Sequence, residues 1–276
     1  MCGIQYVTGH KLMISGIETT KPIIGMVHLE ALPGAPGFDG DRQTIREAMR
    51  RDARRLANGG VDALMIENFG DSPFYAADVP KHTVATMATL VADIRRTVEL
   101  PLGVNVLRND AEAAVSIAAA TGASFVRVNV HTGTRVTDQG VVTGQAAETL
   151  RLRDRLSAEV DILADVDVKH SAPVTERPLS EEVVDLIERG HADGIIVTGA
   201  GTGRETDRKQ LNAIIEAQNR MRTDIPVLVG SGVTRDTAAE TLELADGIIV
   251  GSDLKQDGNT AAPVDEQRVR DLVAAT

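Results

Sequence analysis

Eight short runs of β-branched and other apolar residues, separated by stretches with helical spacing, constrain this chain more than any other feature. They are Pro22–Leu29 (PIIGMVHL), Asp62–Asn68 (DALMIEN), Leu102–Leu107 (LGVNVL), Ser124–Val130 (SFVRVNV), Asp161–Val168 (DILADVDV), Gly194–Thr198 (GIIVT), Pro226–Gly230 (PVLVG) and Gly247–Gly251 (GIIVG). In the first gap Ile45, Ala48, Met49, Ala53 and Leu56 fall on one helical face, and in the fifth Val183, Val184, Leu186 and Ile187 do. Glycine-bearing turns end these helices at Asn58–Gly60, Thr121–Ala123 and Arg189–Gly194. A strand–helix–strand unit repeated about every 30 residues implies right-handed crossovers and a parallel sheet. Eight such units in 276 residues predict an α/β fold, a (β/α)8 TIM barrel forming a single domain over residues 21–276, rather than an open doubly wound sheet. Residues 1–20 are expected to be an N-terminal extension or a cap on the barrel floor.

Charge and cysteine content narrow the function classes. With 40 acidic against 29 basic residues, a net charge of −11 repels a phosphate backbone or an anionic membrane, so no nucleic-acid partner is expected. The same excess suits a salt-rich cytoplasm. Cys2 is the sole cysteine, which excludes an intrachain disulfide and a thiolate metal cluster and suits a reducing compartment. No apolar run approaches the roughly 18 residues of a membrane span, and a cytoplasmic protein with no membrane span is expected. Barrels of this kind often self-associate, so a homo-oligomer is compatible with the reading.

Three connections are longer than packing requires: Glu30–Asp41, Phe69–His82 and Thr132–Gly144. All leave the carboxyl ends of strands, where barrel enzymes build their sites, and are expected to cover a pocket there.

The strand ends carry the chemistry. In the run ILADVDVKHS, the apolar set Ile162, Ala164, Val166, Val168 must face the helices, which turns Asp165, Asp167 and Lys169 inward; His170 has the opposite parity. By the same alternation Arg127, Asn129 and His131 face inward on the fourth strand, and His28 and Glu30, Glu67 with Asn68, and Asn105 with Arg108 stand at the ends of the first three. Charges inside a barrel must be paired, and Arg127 with Asp165 reads as a structural ion pair. Lys169, Glu67, Asp167, His131 and His28, nearer the rim, are the candidate catalytic groups. Asn68, Asn105, Arg108 and Asn129 are candidates for substrate contact. Lys169 either keeps its charge, holding an anion or an enolate, or loses its proton and attacks a carbonyl; two aspartates beneath it favour the charged role. No cofactor motif is evident. A divalent metal held by Glu67 and Asp167 with a nearby His has no spacing rule behind it.

The last strands add an independent signal. VGSGV (Val229–Val233) and VGSDLK (Val250–Lys255) place Gly230, Ser231, Gly232, Gly251 and Ser252 at the strand ends, where backbone N–H groups can approach a phosphate. The sixth strand runs into TGAGTGRET (Thr198–Thr206), adding Thr198 and Gly199; no GK[ST] follows, so this is not a Walker loop.

Five motifs, GMVHLEALPGAPGF (Gly25–Phe38), DALMIENFGDSPF (Asp62–Phe74), LGVNVLRND (Leu102–Asp110), FVRVNVHTG (Phe125–Gly133) and DVDVKH (Asp165–His170), resemble the BtpA family, which includes the sugar-operon protein SgcQ. The resemblance runs from about Pro22 to the end and implies a ribulose-phosphate-binding type of barrel. The family name refers to stabilisation of photosystem I, while relatives occur without photosynthesis, which implies a metabolic activity. The expected partner is a small phosphorylated metabolite, and the expected function an isomerase, lyase or transferase acting on a phosphorylated sugar or phosphoribosyl compound. The alternative is a non-catalytic assembly or stability factor for photosystem I biogenesis.

Overall fold

A computed structural model describes residues 14–199 and 208–276. Most of TGAGTGRET, from Ala200 on, and most of the expected N-terminal extension lie outside the described residues.

The eight runs form the eight strands of a closed parallel barrel: β1 (Ile23–His28), β2 (Ala63–Glu67), β3 (Leu102–Asn105), β4 (Phe125–Val128), β7 (Asp161–Val166), β9 (Gly194–Val197), β10 (Val227–Val229) and β11 (Gly247–Val250), with β11 closing on β1. The intervening helices are α1 (Arg42–Gly59), α2 (Lys81–Arg95), α3 (Ala111–Thr121), α4 (Ala146–Arg155), α5 (Leu179–Val184), α6 (Arg208–Arg220) and α7 (Arg235–Leu244), with α8 (Glu266–Ala274) last. Their ends follow the local chemistry. Asp41 caps α1 by accepting from the amides of Gln43 and Thr44, and Gly60 ends it in the left-handed conformation at φ 97°. Thr234 and Thr237 form a reciprocal capping box at the start of α7. The fifth helix widens into a π turn at Asp185–Arg189 before Gly190.

Two cores result. Val27, Ile66, Val104, Val126, Ile162 and Val197 belong to the layer between strands and helices, together with Ile45, Met49, Ala53 and Leu56 of α1. Met26, Met65, Phe125, Leu163, Ile196, Leu228 and Ile249 fill the barrel interior. Phe125 is completely buried there, its ring occupying the space that a Cβ on Gly103 would take. Ile14 and Ile17 pack into this inner cluster, and Ser15 N–H donates to Asp161 at the start of β7. Near three strand starts an aspartate before the neighbouring strand accepts a backbone amide: Asp62 from Ile23, Asp193 from Ile162 and Asp246 from Val227.

Two expectations need correction. The fifth barrel strand ends at Val166 instead of Val168, because Asp167 takes up a left-handed conformation at φ 53°. Thr132–Gly144 is not structureless: it folds into the hairpin β5 (Thr134–Thr137) and β6 (Gly140–Thr143), to which β8 (Ser171–Pro173) adds antiparallel. Val142 under the hairpin meets Val130 and Val168 in a small separate core, which gives the excursion its own reason to fold.

Candidate functional site

The carboxyl end of the barrel is built from a row of register partners. His28 pairs with Glu67, Glu67 with Asn105, and Asn105 with Arg127, so four consecutive strands bring these side chains to one level. Beside Arg127, Asp165 on β7 points into the same interior. Arg127 holds it bidentately, Nε to Oδ2 at 3.1 Å and Nη2 to Oδ1 at 3.0 Å, and Asn129 Nδ2 donates to Oδ2 at 2.6 Å. Asn105 Nδ2 donates to the Arg127 carbonyl and to Asn129 Oδ1. The Asp165 side chain is fully buried and Arg127 nearly so, so removing either would strand a charge in a dry interior. Burial works against the Arg127 charge, and the carboxylates of Asp165 and Glu67 outweigh it and raise its pKa.

At the same end lies a cavity of about 190 Å³ lined by His28, Glu67, Arg127 and Lys169. Gly230, Ser231, Gly232, Gly251 and Ser252 also line it, with Thr234 at the start of α7. Gly232 has φ 73°, a conformation that costs any residue with a Cβ, and a Cβ on Gly251 would lie 3.1 Å from the His28 ring. The amino end of a ten-residue helix and two glycine turns therefore border the same space as two cationic side chains, an arrangement suited to an anion.

Protonation states follow from burial. Burial raises the pKa of Glu67, while Arg127, Lys169 and Arg108 pull it back. Burial, then the Arg127 charge, lowers Lys169, and Glu67 and Asp165 oppose that fall. His28 is pushed down to about 3 by burial and by the charges of Lys255, Lys169 and Arg127, and is neutral across the physiological range. Its Nε2 stands 3.9 Å from Glu67, a contact of a neutral imidazole and not an ion pair. The ring stacks on Phe69, with centroids 4.6 Å apart.

Lys169 is fixed through its backbone. Its amide donates to Thr198 Oγ1 at 3.1 Å and its carbonyl accepts from Arg108 Nη2 at 2.6 Å. Arg108 and Thr198 thus act on the site through the lysine backbone. Gly199 is buried beside Thr198 at the end of β9.

Four expected residues stand elsewhere. Asp167 turns away from the interior to Arg135 on the hairpin, at 2.7 Å, and to Gln210 on α6, because its left-handed backbone breaks the strand alternation. It lines a second cavity of about 310 Å³ beneath the hairpin, with Asn129, Asp165, Arg135, Glu182 and Asp185. His131 also leaves the interior. Asn109 exchanges two hydrogen bonds with the Val130 backbone, and the His131 ring beyond it bonds Gly190 O at 2.8 Å, its pKa lowered by burial. Asn68 is engaged by the Leu107 amide and by Asp71, which ties two loops together. Glu30 is exposed. The metal set also changes: with Asp167 and His131 elsewhere, no three His, Cys, Asp or Glu side chains converge among the described residues.

Two participants escaped the sequence reading. Phe69 supports His28, and Lys255, buried behind it, pairs with Asp52 at 3.1 Å. A signal for the latter was present: Asp52 lies on the apolar stripe of α1, four residues after Ala48, where an acid needs a partner.

Known proteins give a consistent picture. The BtpA family model matches residues 19–276. The chain is 42% identical over 258 residues to the photosystem I biogenesis protein BtpA of Synechocystis, covering 94% of this chain and 88% of that protein. It is 35% identical over 257 residues to the putative sgc region protein SgcQ of Escherichia coli, covering 92% and 93%. Among solved structures, phosphoribosyl anthranilate isomerase from Thermococcus kodakaraensis superposes with a TM-score of 0.55 at 15% identity, covering 92% of this chain and 98% of that one. That likeness establishes the barrel fold. No helix among the described residues is long and apolar enough to cross a membrane.

Proposed function

The chain belongs to the BtpA family, and from that membership and the geometry of the barrel mouth we propose that it is an enzyme acting on a small phosphorylated sugar or phosphoribosyl compound, as an isomerase, lyase or transferase. The observation that carries this reading is the shared cavity: glycine turns after β10 and β11, the start of α7, Lys169, Glu67 and Arg127 all line it. The phosphate sits on the Gly230–Gly232 and Gly251–Ser252 backbone, where amides and the helix dipole favour negative charge. Lys169 faces the reacting carbonyl. Glu67, with a pKa moved toward neutrality by burial, moves the proton. The fold shared with phosphoribosyl anthranilate isomerase supports the substrate class by analogy alone.

The test is thermal. Ribose 5-phosphate or ribulose 5-phosphate raises Tm, and the response is lost in Lys169→Ala; absence of a shift across a panel of pentose and hexose phosphates would reject the reading.

A second reading, an assembly or stability factor, is favoured by one surface. Val136 and Val141 are exposed on the small antiparallel sheet as direct register partners, and Val174 is exposed just past β8. Such a patch suits contact with a client protein. A pull-down whose captured partner survives Lys169→Ala/Glu67→Ala but is lost in Val141→Lys supports it.

A further inference from the structure

We propose that Lys169 is a covalent nucleophile: its ε-amine forms an imine with the carbonyl carbon of a phosphorylated aldose or ketose in open-chain form. This rests on the phosphosugar reading above and narrows it to substrates with a free carbonyl.

The geometry that points to it is a change in the lysine's surroundings. Two aspartates beneath Lys169 would have kept an ammonium charged. One of them, Asp167, is instead turned outward and engaged by Arg135, and the other, Asp165, is held bidentately by Arg127. Lys255 behind His28 has its own carboxylate in Asp52, and Asp253 on the cavity wall is paired with Arg268. His28 is neutral. The carboxyl group left beside Lys169 in the cavity is Glu67, which feels the guanidinium charges of Arg127 and Arg108. Burial and then the neighbouring Arg127 charge lower the Lys169 pKa, with Glu67 and Asp165 opposing that fall, and a lysine beside another cation gives up its proton more readily. Burial acts on Glu67 in the opposite direction, toward the protonated acid. The two shifts move Lys169 toward the amine and Glu67 toward the acid, the forms that imine formation uses, in one cavity.

The backbone also serves the role. Lys169 stands between two non-glycine residues in the left-handed conformation, Asp167 at φ 53° and His170 at φ 58°. Its own amide and carbonyl are held by Thr198 and Arg108. Backbone conformations of that kind persist where the surroundings over-determine them, as at a site that must aim one side chain.

The step balances without oxidant or reductant. The nitrogen lone pair forms the C–N bond as the carbonyl oxygen takes the proton of Glu67. The Glu67 carboxylate then removes a proton from the nitrogen and returns it to the new hydroxyl, which leaves as water. The products are a protonated imine on Lys169, one water molecule and the Glu67 carboxylate. The iminium withdraws electrons from the adjacent carbon, so that a C–H or C–C bond there breaks with its electron pair retained as an enamine.

Borohydride trapping tests this. The full chain is treated with ribulose 5-phosphate and sodium borohydride, digested and mapped by mass. With only six lysines in the chain, stray labelling is easily separated. The expected result is one adduct, at Lys169, of the sugar phosphate less one oxygen, suppressed by inorganic phosphate and absent from Lys169→Arg. The arginine variant retains a long basic side chain but no nucleophilic amine, so trapping is lost in it. A thermal response in the native chain with no adduct at Lys169, or adducts spread over the surface lysines, overturns the imine and leaves the phosphosugar reading standing. No thermal response to any phosphosugar removes both.

Discussion

Asp167 and Lys169, two residues apart in the chain, open into different cavities. Lys169 lines the barrel mouth, and Asp167 lines the space beneath the hairpin and holds Arg135. Asp167→Ala is therefore expected to leave the phosphosugar thermal response intact while loosening the hairpin. Limited proteolysis within residues 134–143 should accelerate. Loss of the thermal response with unchanged proteolysis would place Asp167 back in the site.

The Arg127–Asp165 pair is fully enclosed, so breaking it leaves an uncompensated charge. Arg127→Met should cost about 3–5 kcal/mol in denaturant unfolding. The double substitution Arg127→Met/Asp165→Leu should recover most of that loss, since an apolar pair of similar volume fills the same space. A double variant no more stable than the single one would mean that the two residues contribute through other partners.

His28 and Glu67 give stability opposite pH dependences. His28 falls from 6.5 to about 3 on folding, so between those values the unfolded chain binds a proton the folded one does not, and stability is lost as pH falls from 6.5. At about pH 5 that loss amounts to about 2 kcal/mol, and His28→Gln should remove it. Glu67 has a raised pKa, so its contribution is present below its unfolded value of 4.5 and is lost as pH rises through the folded value. Glu67→Gln should accordingly stabilise the protein at neutral pH while impairing turnover of the substrate. Urea unfolding at several pH values reads both signs.

Gly232→Ala places a Cβ at φ 73° and should cost about 1 kcal/mol. Gly251→Ala has no such backbone conflict, but its Cβ meets the His28 ring at 3.1 Å and narrows the cradle. The expected pattern is a weaker phosphosugar response in both, measured by calorimetry, with a stability loss larger for Gly232→Ala. Unchanged affinity in both variants would move the phosphate away from these turns.

Alternation along a strand made the interior row readable: His28, Glu67, Asn105, Arg127 and Asp165 all stand where parity puts them. It held only as long as the backbone stayed extended. Beyond Val128 the Asn109 clamp on Val130 diverts the chain, and beyond Val166 the left-handed Asp167 resets the parity, so His131 and Asp167 part from the row although their spacing fits it. A left-handed residue that is not glycine carries little local sequence signal, and a clamp between residues 21 positions apart carries none. The eight strands were legible because each is buried on both faces and reads as an apolar run; β8 was not, since three residues added to the edge of a hairpin are defined by their partner.

The backbone of Lys169 is bonded on one side by Thr198 and on the other by Arg108, residues just beyond the ends of β9 and β3. The position of the amine is thus set by the barrel and not by the segment between His170 and α5. That segment answers instead to the hairpin, to which β8 joins it, so the lysine backbone and the outer sheet are anchored to different parts of the chain.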